Sequence, residues 1–128
     1  MSLVLDAGGL SALAGHRAAL NELRRRERWP AQVPAVVLTE ALTGDHRRDF
    51  AVNRVLRTCR VRDVDEAVAR EAARLRTATG RAGTISAVDA VVAAFACAGP
   101  DMIVLTSDPR DLRALGEHTT APMMVIGV

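Results

Sequence analysis

Lysine and tyrosine are absent from these 128 residues, the aromatic side chains are confined to Trp29, Phe50 and Phe95, and cysteine occurs only as Cys59 and Cys97. Without lysine the chain can form neither the GK[ST] phosphate loop of nucleotide-binding folds nor the lysine-assisted acid pocket of a phosphorylated receiver domain. So few aromatics leave little on which nucleic-acid bases could stack. The two cysteines lie far apart in apolar or amphipathic segments and read as reduced structural thiols, not as a disulfide or redox pair. No apolar run approaches the ~20 residues needed to cross a bilayer; the run from Ala90 to Gly99 is far too short. No basic segment precedes the apolar run after Met1-Ser2, so no secretion signal is expected and the chain is expected in the cytoplasm, away from membranes. A length of 128 residues, 49% of them hydrophobic, suits one domain over residues 1–128 with a real core.

Charge is plentiful but unevenly placed. All 17 basic residues are arginine, against 15 acids, for a formal charge of +2. Four of the acids stand in apolar surroundings. Asp6 ends Leu3-Val4-Leu5, Glu40 follows Val36-Val37-Leu38-Thr39, Asp89 is the single charge between Ala82 and Pro100, and Asp108 follows the run from Met102 to Ser107. A carboxylate at the edge of a core must neutralise or find a cation, and four that converge would repel one another. A divalent ion resolves both problems. Oxygen-only ligands, with no Cys/His pairs at zinc spacing, point to Mg²⁺ or Mn²⁺. With those four acids neutralised, the 17 arginines face the 11 that remain of 15, a balance that favours a polyanionic partner. Arg24, Arg25, Arg26 and Arg28, with Arg47, Arg48, Arg54, Arg57 and Arg60, supply two basic groups; if they line the approach to the acids they can track phosphates, and otherwise they are solvated helix faces. His16, His46 and His118 sit in polar contexts and read as solvated side chains, not general bases.

Hydrophobic periodicity orders the elements. Ser2–Asp6 reads as a buried strand, Ala7-Gly8-Gly9 as a break before a short helical turn around Leu10–Leu13, and His16–Arg28 as an amphipathic helix. Gln32-Val33 reads as a very short strand, with Pro34 in the first turn of a helix carrying Val37, Glu40 and Ala41. A helix over Asp49–Cys59, a strand over Arg60–Val64 and a helix from Asp65-Glu66 to Gly80 follow, the last with Val68, Ala72 and Leu75 as its core stripe. Thr84 or Ser86 caps the apolar helix bearing Asp89, which stops at Gly99-Pro100. Asp101–Ser107 is the clearest strand, Asp108-Pro109 opens a helix through Leu115, and Pro122–Val128 is a last strand. This alternation predicts an α/β domain with a mainly parallel sheet and helices on both faces, whose site lies at the carboxyl ends of strands. Each acid also has an ordinary use. Asp108 with Asp111 can form a capping pair, Ser86-x-x-Asp89 has the same geometry, and Asp6 before Gly8-Gly9 can be turn chemistry. Glu40, one helical turn after Val36 and Val37, is harder to explain that way, and the joint occurrence favours a metal site.

These acids and their contexts resemble the PIN-domain family, in particular the ribonuclease toxins of VapBC-type toxin–antitoxin pairs. The matching segments are Val4-Leu5-Asp6-Ala7-Gly8, Val33-Pro34-Ala35-Val36-Val37-Leu38-Thr39-Glu40, Thr84-Ile85-Ser86-Ala87-Val88-Asp89-Ala90 and Val104-Leu105-Thr106-Ser107-Asp108-Pro109-Arg110-Asp111-Leu112. The resemblance implies a PIN-like three-layer α/β/α domain and a Mg²⁺- or Mn²⁺-dependent endoribonuclease. It makes Asp6, Glu40, Asp89 and Asp108 the metal-binding, catalytic quartet, Asp111 an auxiliary metal-site acid and Thr106 a supporting hydroxyl. It further implies an RNA substrate, a homodimer and a cognate VapB-like antitoxin whose C-terminal segment crosses the acidic groove. One departure stands out: Gly8 occupies a position where many relatives carry Ser or Thr. That leaves open a second reading, a degenerate member that binds RNA or a protein without cleavage.

Overall fold

Leu3, Val4 and Leu5, like Ile103, Val104 and Leu105, are almost fully buried, as strands covered on both faces must be. The computed structural model describes residues 2–26 and 28–128; of the readings above, those at Met1 and at Glu27 lie outside the described residues. The elements are β1 (Ser2–Leu5), α1 (Ala7–Gly15), α2 (Arg17–Arg25), β2 (Gln32–Pro34), a 3-10 turn (Ala35–Val37), α3 (Leu38–Ala41), α4 (Phe50–Leu56), β3 (Arg60–Arg62), α5 (Glu66–Ala78), α6 (Ala87–Ala98), β4 (Met102–Thr106), α7 (Pro109–Gly116) and β5 (Met124–Gly127).

The sheet has five strands in the order β3-β2-β1-β4-β5, and every pairing is parallel. Val4 lies opposite Val104, with β4 in register with the whole of β1. The chain winds outward from β1 through β2 to β3, then returns to the other side of β1 to lay down β4 and β5. Its direction of winding therefore switches between β1 and β4, and in open parallel sheets a crevice opens at the carboxyl ends of strands at such a point. On one face, Leu13, Ala19 and Leu23 of α1 and α2 line an apolar hollow together with Leu3, Ile103 and Leu105. On the other, α6 packs on β1, β2 and β4, flanked by α5 and α7, giving the three-layer α/β/α arrangement.

Most elements fall where periodicity expects them, and the differences have local causes. Ala7-Gly8-Gly9 reads as a break, yet α1 begins at Ala7, with Asp6 as its N-cap. The glycines answer to packing. A Cβ at Gly9 would sit 2.2 Å from the Leu105 carbonyl oxygen, and one at Gly8 would sit 2.0 Å from Ser107 Oγ. α1 can thus press its first turn against the end of β4 only without side chains there. Pro34 ends β2 and is followed by the 3-10 turn and the four-residue α3, so Glu40 stands on a short helix that stops at the extended Leu42. α4 starts after Asp49 because that carboxylate is spent on the preceding loop, accepting from the Thr43 N–H and hydroxyl and from the Gly44 N–H at 2.8–3.1 Å. Arg60–Arg62 is a solvent-exposed edge strand, shorter than the expected Arg60–Val64. Ser86, not Thr84, caps α6, its Oγ accepting from the Asp89 N–H at 3.0 Å.

The two glycines should respond differently to substitution. Gly9→Ala forces a methyl onto a backbone carbonyl that cannot move without shifting β4, and urea unfolding should register a loss of roughly 1–3 kcal/mol or more, the range of overpacked cores. Gly8→Ser meets the end of a side chain instead. Its cost should be smaller and should be relieved by adding Ser107→Gly.

Candidate functional site

β1 and β4 stop side by side, and each hands an aspartate to the crevice between them. Asp6, only 7% exposed, is the N-cap of α1: one carboxylate oxygen accepts from the Gly9 N–H at 2.7 Å and the other from the Thr106 hydroxyl at 2.5 Å. The Thr106 oxygen in turn accepts from the Asp108 N–H at 3.2 Å. One buried hydroxyl thereby ties the two strand ends together and orients the first acid. Asp108 caps α7, accepting from the Arg110 N–H, and places Asp111 in the first turn of that helix. Asp89 enters from the opposite layer, in the first turn of α6, and Glu40 from α3.

The charges of these groups reach one another in part. Burial pushes the Asp89 carboxyl up to about 6, the charges of Asp6, Glu40 and Asp111 adding to the effect and Ser86 opposing it. Burial likewise raises Asp6 above the ordinary carboxylate range, partly offset by the hydrogen bonds from Thr106 and Gly9 and reinforced by the charge of Asp108. Asp89 thus feels the charges of Asp6, Glu40 and Asp111, and Asp6 feels that of Asp108. They are not equally buried: Glu40 and Asp108 are exposed at the mouth, Asp89 and Asp111 are half-buried and Asp6 is the deep one.

Two contacts at this site escape the sequence. Arg81, in the loop between α5 and α6, donates from Nη2 to Asp111 at 3.0 Å; nothing in Gly80-Arg81-Ala82-Gly83 announces a partner 30 positions along the chain. Ser107 puts its hydroxyl in the space that a side chain at position 8 would fill, so a hydroxyl reaches the place of the missing Ser or Thr from another element. Asp49, the other deeply buried acid, belongs elsewhere. Burial acts to raise its carboxyl, but the hydrogen bonds from Thr43 and Gly44 outweigh that and hold it below the ordinary range. The basic groups are also set apart: Arg17, Arg24, Arg54 and Arg57 line a groove of about 380 Å³ between α1, α2 and α4, and none of the five acids is among its lining residues. Of the two basic groups read in the sequence, Arg24 of the first and Arg54 and Arg57 of the second meet in this one groove.

As they stand, no three His, Cys, Asp or Glu side chains among the described residues are arranged to hold a metal ion. The donor set nevertheless fits a hard divalent cation in kind: all-oxygen, formally negative and drawn from four elements, with Asp6 and Asp89 raised first by burial and then by neighbouring carboxylates.

The family model of the PIN domain matches residues 3–117. The chain belongs to the PIN-domain family. Sequence comparison with curated proteins finds no match. Among solved structures, this PIN domain is similar in fold to a chain of the DNA-bound VapBC complex of Salmonella typhimurium (17% identity, TM-score 0.73, covering 99% of this chain and 98% of that one). It is also similar to one of VapBC2 of Rickettsia felis bound to a promoter DNA fragment (14%, TM-score 0.74, 100% and 99%) and to one of FitAcB from Neisseria gonorrhoeae (19%, TM-score 0.62, 95% and 96%). Among the described residues no helix of the PIN domain is long and apolar enough to cross a membrane.

The raised carboxyls carry a sign for stability. An acid whose pKa is higher folded than unfolded binds more protons in the folded state between those two values, so stability falls as pH rises through that window. For Asp89 the window runs from the ordinary carboxylate range to about 6, and Asp6 acts in the same sense. Asp49 has the opposite sign and matters only as pH falls through and below the ordinary range. In EDTA, the urea midpoint should therefore be higher at pH 5 than at pH 7.5, and Asp89→Asn should flatten that difference; equal slopes in the two proteins would refute the coupling.

Proposed function

We propose that this PIN domain is a metal-dependent endoribonuclease acting as the toxin of a type II toxin–antitoxin pair. PIN domains are generally nucleases, and the single observation that carries the reading is the convergence of five carboxylates, with Asp89 held up at about 6, on the crevice between β1 and β4. Structural neighbours that are themselves VapBC and FitAcB complexes support a VapB-like antitoxin as partner.

In this reading Asp6, Glu40, Asp89 and Asp108 hold Mg²⁺ or Mn²⁺, with Asp111 beside them. The bound ion would supply a water nucleophilic near neutral pH and positive charge at the scissile phosphate. The chain's own part is positioning. Gly9 and Thr106 fix both oxygens of Asp6, Thr106 links Asp6 to the Asp108 backbone, and Ser86 anchors the turn that carries Asp89. Helix starts at Asp6, Ser86 and Asp108 set four of the acids, Asp6, Asp89, Asp108 and Asp111, on rigid first turns, where the helix dipole favours negative charge. The second reading, a member that binds RNA or a protein without cleavage, is motivated by Gly8, where the Ser107 hydroxyl occupies the space of a side chain. Homodimerisation and cytoplasmic action belong to the same proposal.

Asp6→Asn, Glu40→Gln, Asp89→Asn and Asp108→Asn should each abolish Mg²⁺- or Mn²⁺-dependent RNA cleavage and relieve growth inhibition on expression. Thr106→Val and Asp111→Asn should cost less, roughly the 10–100-fold typical of groups that orient metal ligands. Full activity in the Asp89 variant would overturn the assignment. Inhibition by the antitoxin offers a separate check. A cation from its tail that masks these acids should be displaced as Mg²⁺ or Mn²⁺ rises, so inhibition indifferent to metal concentration would refute masking at this site.

A further inference from the structure

Of the five salt bridges among the described residues, only Arg81–Asp111 involves an acid of the crevice. Its arginine is held by its backbone. The Arg81 carbonyl accepts from the Thr84 and Ile85 N–H groups at 2.9 Å, its own N–H donates to Thr79 Oγ1 at 3.1 Å, and Gly80, in the left-handed region at φ 69°, turns the chain out of α5 just before it. Arg76 reinforces the loop by donating to the Ile85 carbonyl at 2.7 Å. The side chain therefore projects from a braced turn to the rim of the crevice. There it spends one nitrogen on Asp111 and stays 45% exposed. Five acids would repel a phosphate on its way in, and the arginine groove between α1, α2 and α4 has none of them in its lining. A guanidinium presents several N–H donors in a fork that matches phosphate oxygens.

We infer that Arg81 is a substrate-binding residue that takes up a phosphate of the incoming RNA strand beside the acidic crevice, with Asp111 holding it in place until the strand arrives. The inference rests on the nuclease reading, but it concerns binding and can be tested without metal. Asp111 competes with the phosphate for the same guanidinium. Removing the acid should then free Arg81 and tighten RNA binding, whereas with a purely structural ion pair any tightening would come from the lost negative charge alone and would survive in the double variant that also lacks Arg81.

The test is the affinity of a labelled short single-stranded RNA, by fluorescence anisotropy in EDTA across a KCl series, for the full chain and for Arg81→Gln, Arg81→Lys, Asp111→Asn and the double variant Arg81→Gln/Asp111→Asn. Losing one phosphate contact on a single strand should weaken binding and make the slope of log K against log salt shallower by about 0.7. Arg81→Lys should keep the slope and lose part of the affinity. Asp111→Asn should bind more tightly than wild type, and the double variant should not. Thermal melts of each protein guard against misfolding, with Arg81→Lys as the variant that preserves charge. An unchanged slope in Arg81→Gln, or no tightening in Asp111→Asn, overturns the inference, as does a wild type that binds no RNA. Salt-dependent binding that needs Arg81 in a protein that cuts no RNA with Mg²⁺ or Mn²⁺ would uphold the inference and overturn the cleavage reading.

Discussion

The hydrogen bond from the Thr106 hydroxyl to the Asp6 carboxylate joins the ends of the two strands between which the sheet changes its direction of winding. A hydrogen bond to a charged group contributes about 1.5–3 kcal/mol, and leaving a buried carboxylate without it costs at least as much. Much else follows from that join. Thr106 must end β4 level with the end of β1, Gly9 must bring its N–H to the other Asp6 oxygen, and α1 must then lie so close to β4 that neither Gly8 nor Gly9 tolerates a side chain in place. The same hydroxyl takes the Asp108 N–H and so sets the start of α7.

What the join assembles is electrostatically unfavourable. Asp6 and Asp89 are raised by burial first and by their acidic neighbours next, while Asp108, Glu40 and Asp111 keep access to solvent or, for Asp111, an arginine. A fold selected for stability alone would fill this crevice with apolar side chains, since carboxylates at such a point weaken the folded state as pH rises towards neutral. Persistent cost of this kind marks a functional site, where perturbed groups are kept for what they bind. The apolar layers on either side, Leu3, Ile103 and Leu105 against α1 and α2, and α6 against β1, β2 and β4, hold the acids together in spite of it.

Much of this was legible in the chain because it is carried by local pattern. The apolar runs Leu3–Leu5 and Met102–Leu105 gave β1 and β4, the stripe of Val68, Ala72 and Leu75 gave α5, and an acid after each apolar run pointed at the carboxyl ends of strands. What could not be read was long-range. The glycines of α1 look like a break until Leu105 and Ser107 are seen above them. Arg81 resembles any surface arginine, since its partner is placed by the packing of α6 on the sheet and not by sequence spacing. The number of arginines was plain, but only the fold brings Arg24 together with Arg54 and Arg57 in one groove.

The central claim is that these carboxylates form one site made for a divalent cation, and Asp89, which feels Asp6, Glu40 and Asp111, reports on it most directly. NMR titration of its side-chain carboxyl, without metal and then with Mg²⁺, tests this most directly. The account predicts a titration near pH 6 without metal and a displacement to markedly lower pH with Mg²⁺. A carboxyl that titrates in the ordinary range near 4, and that ignores Mg²⁺, would contradict it.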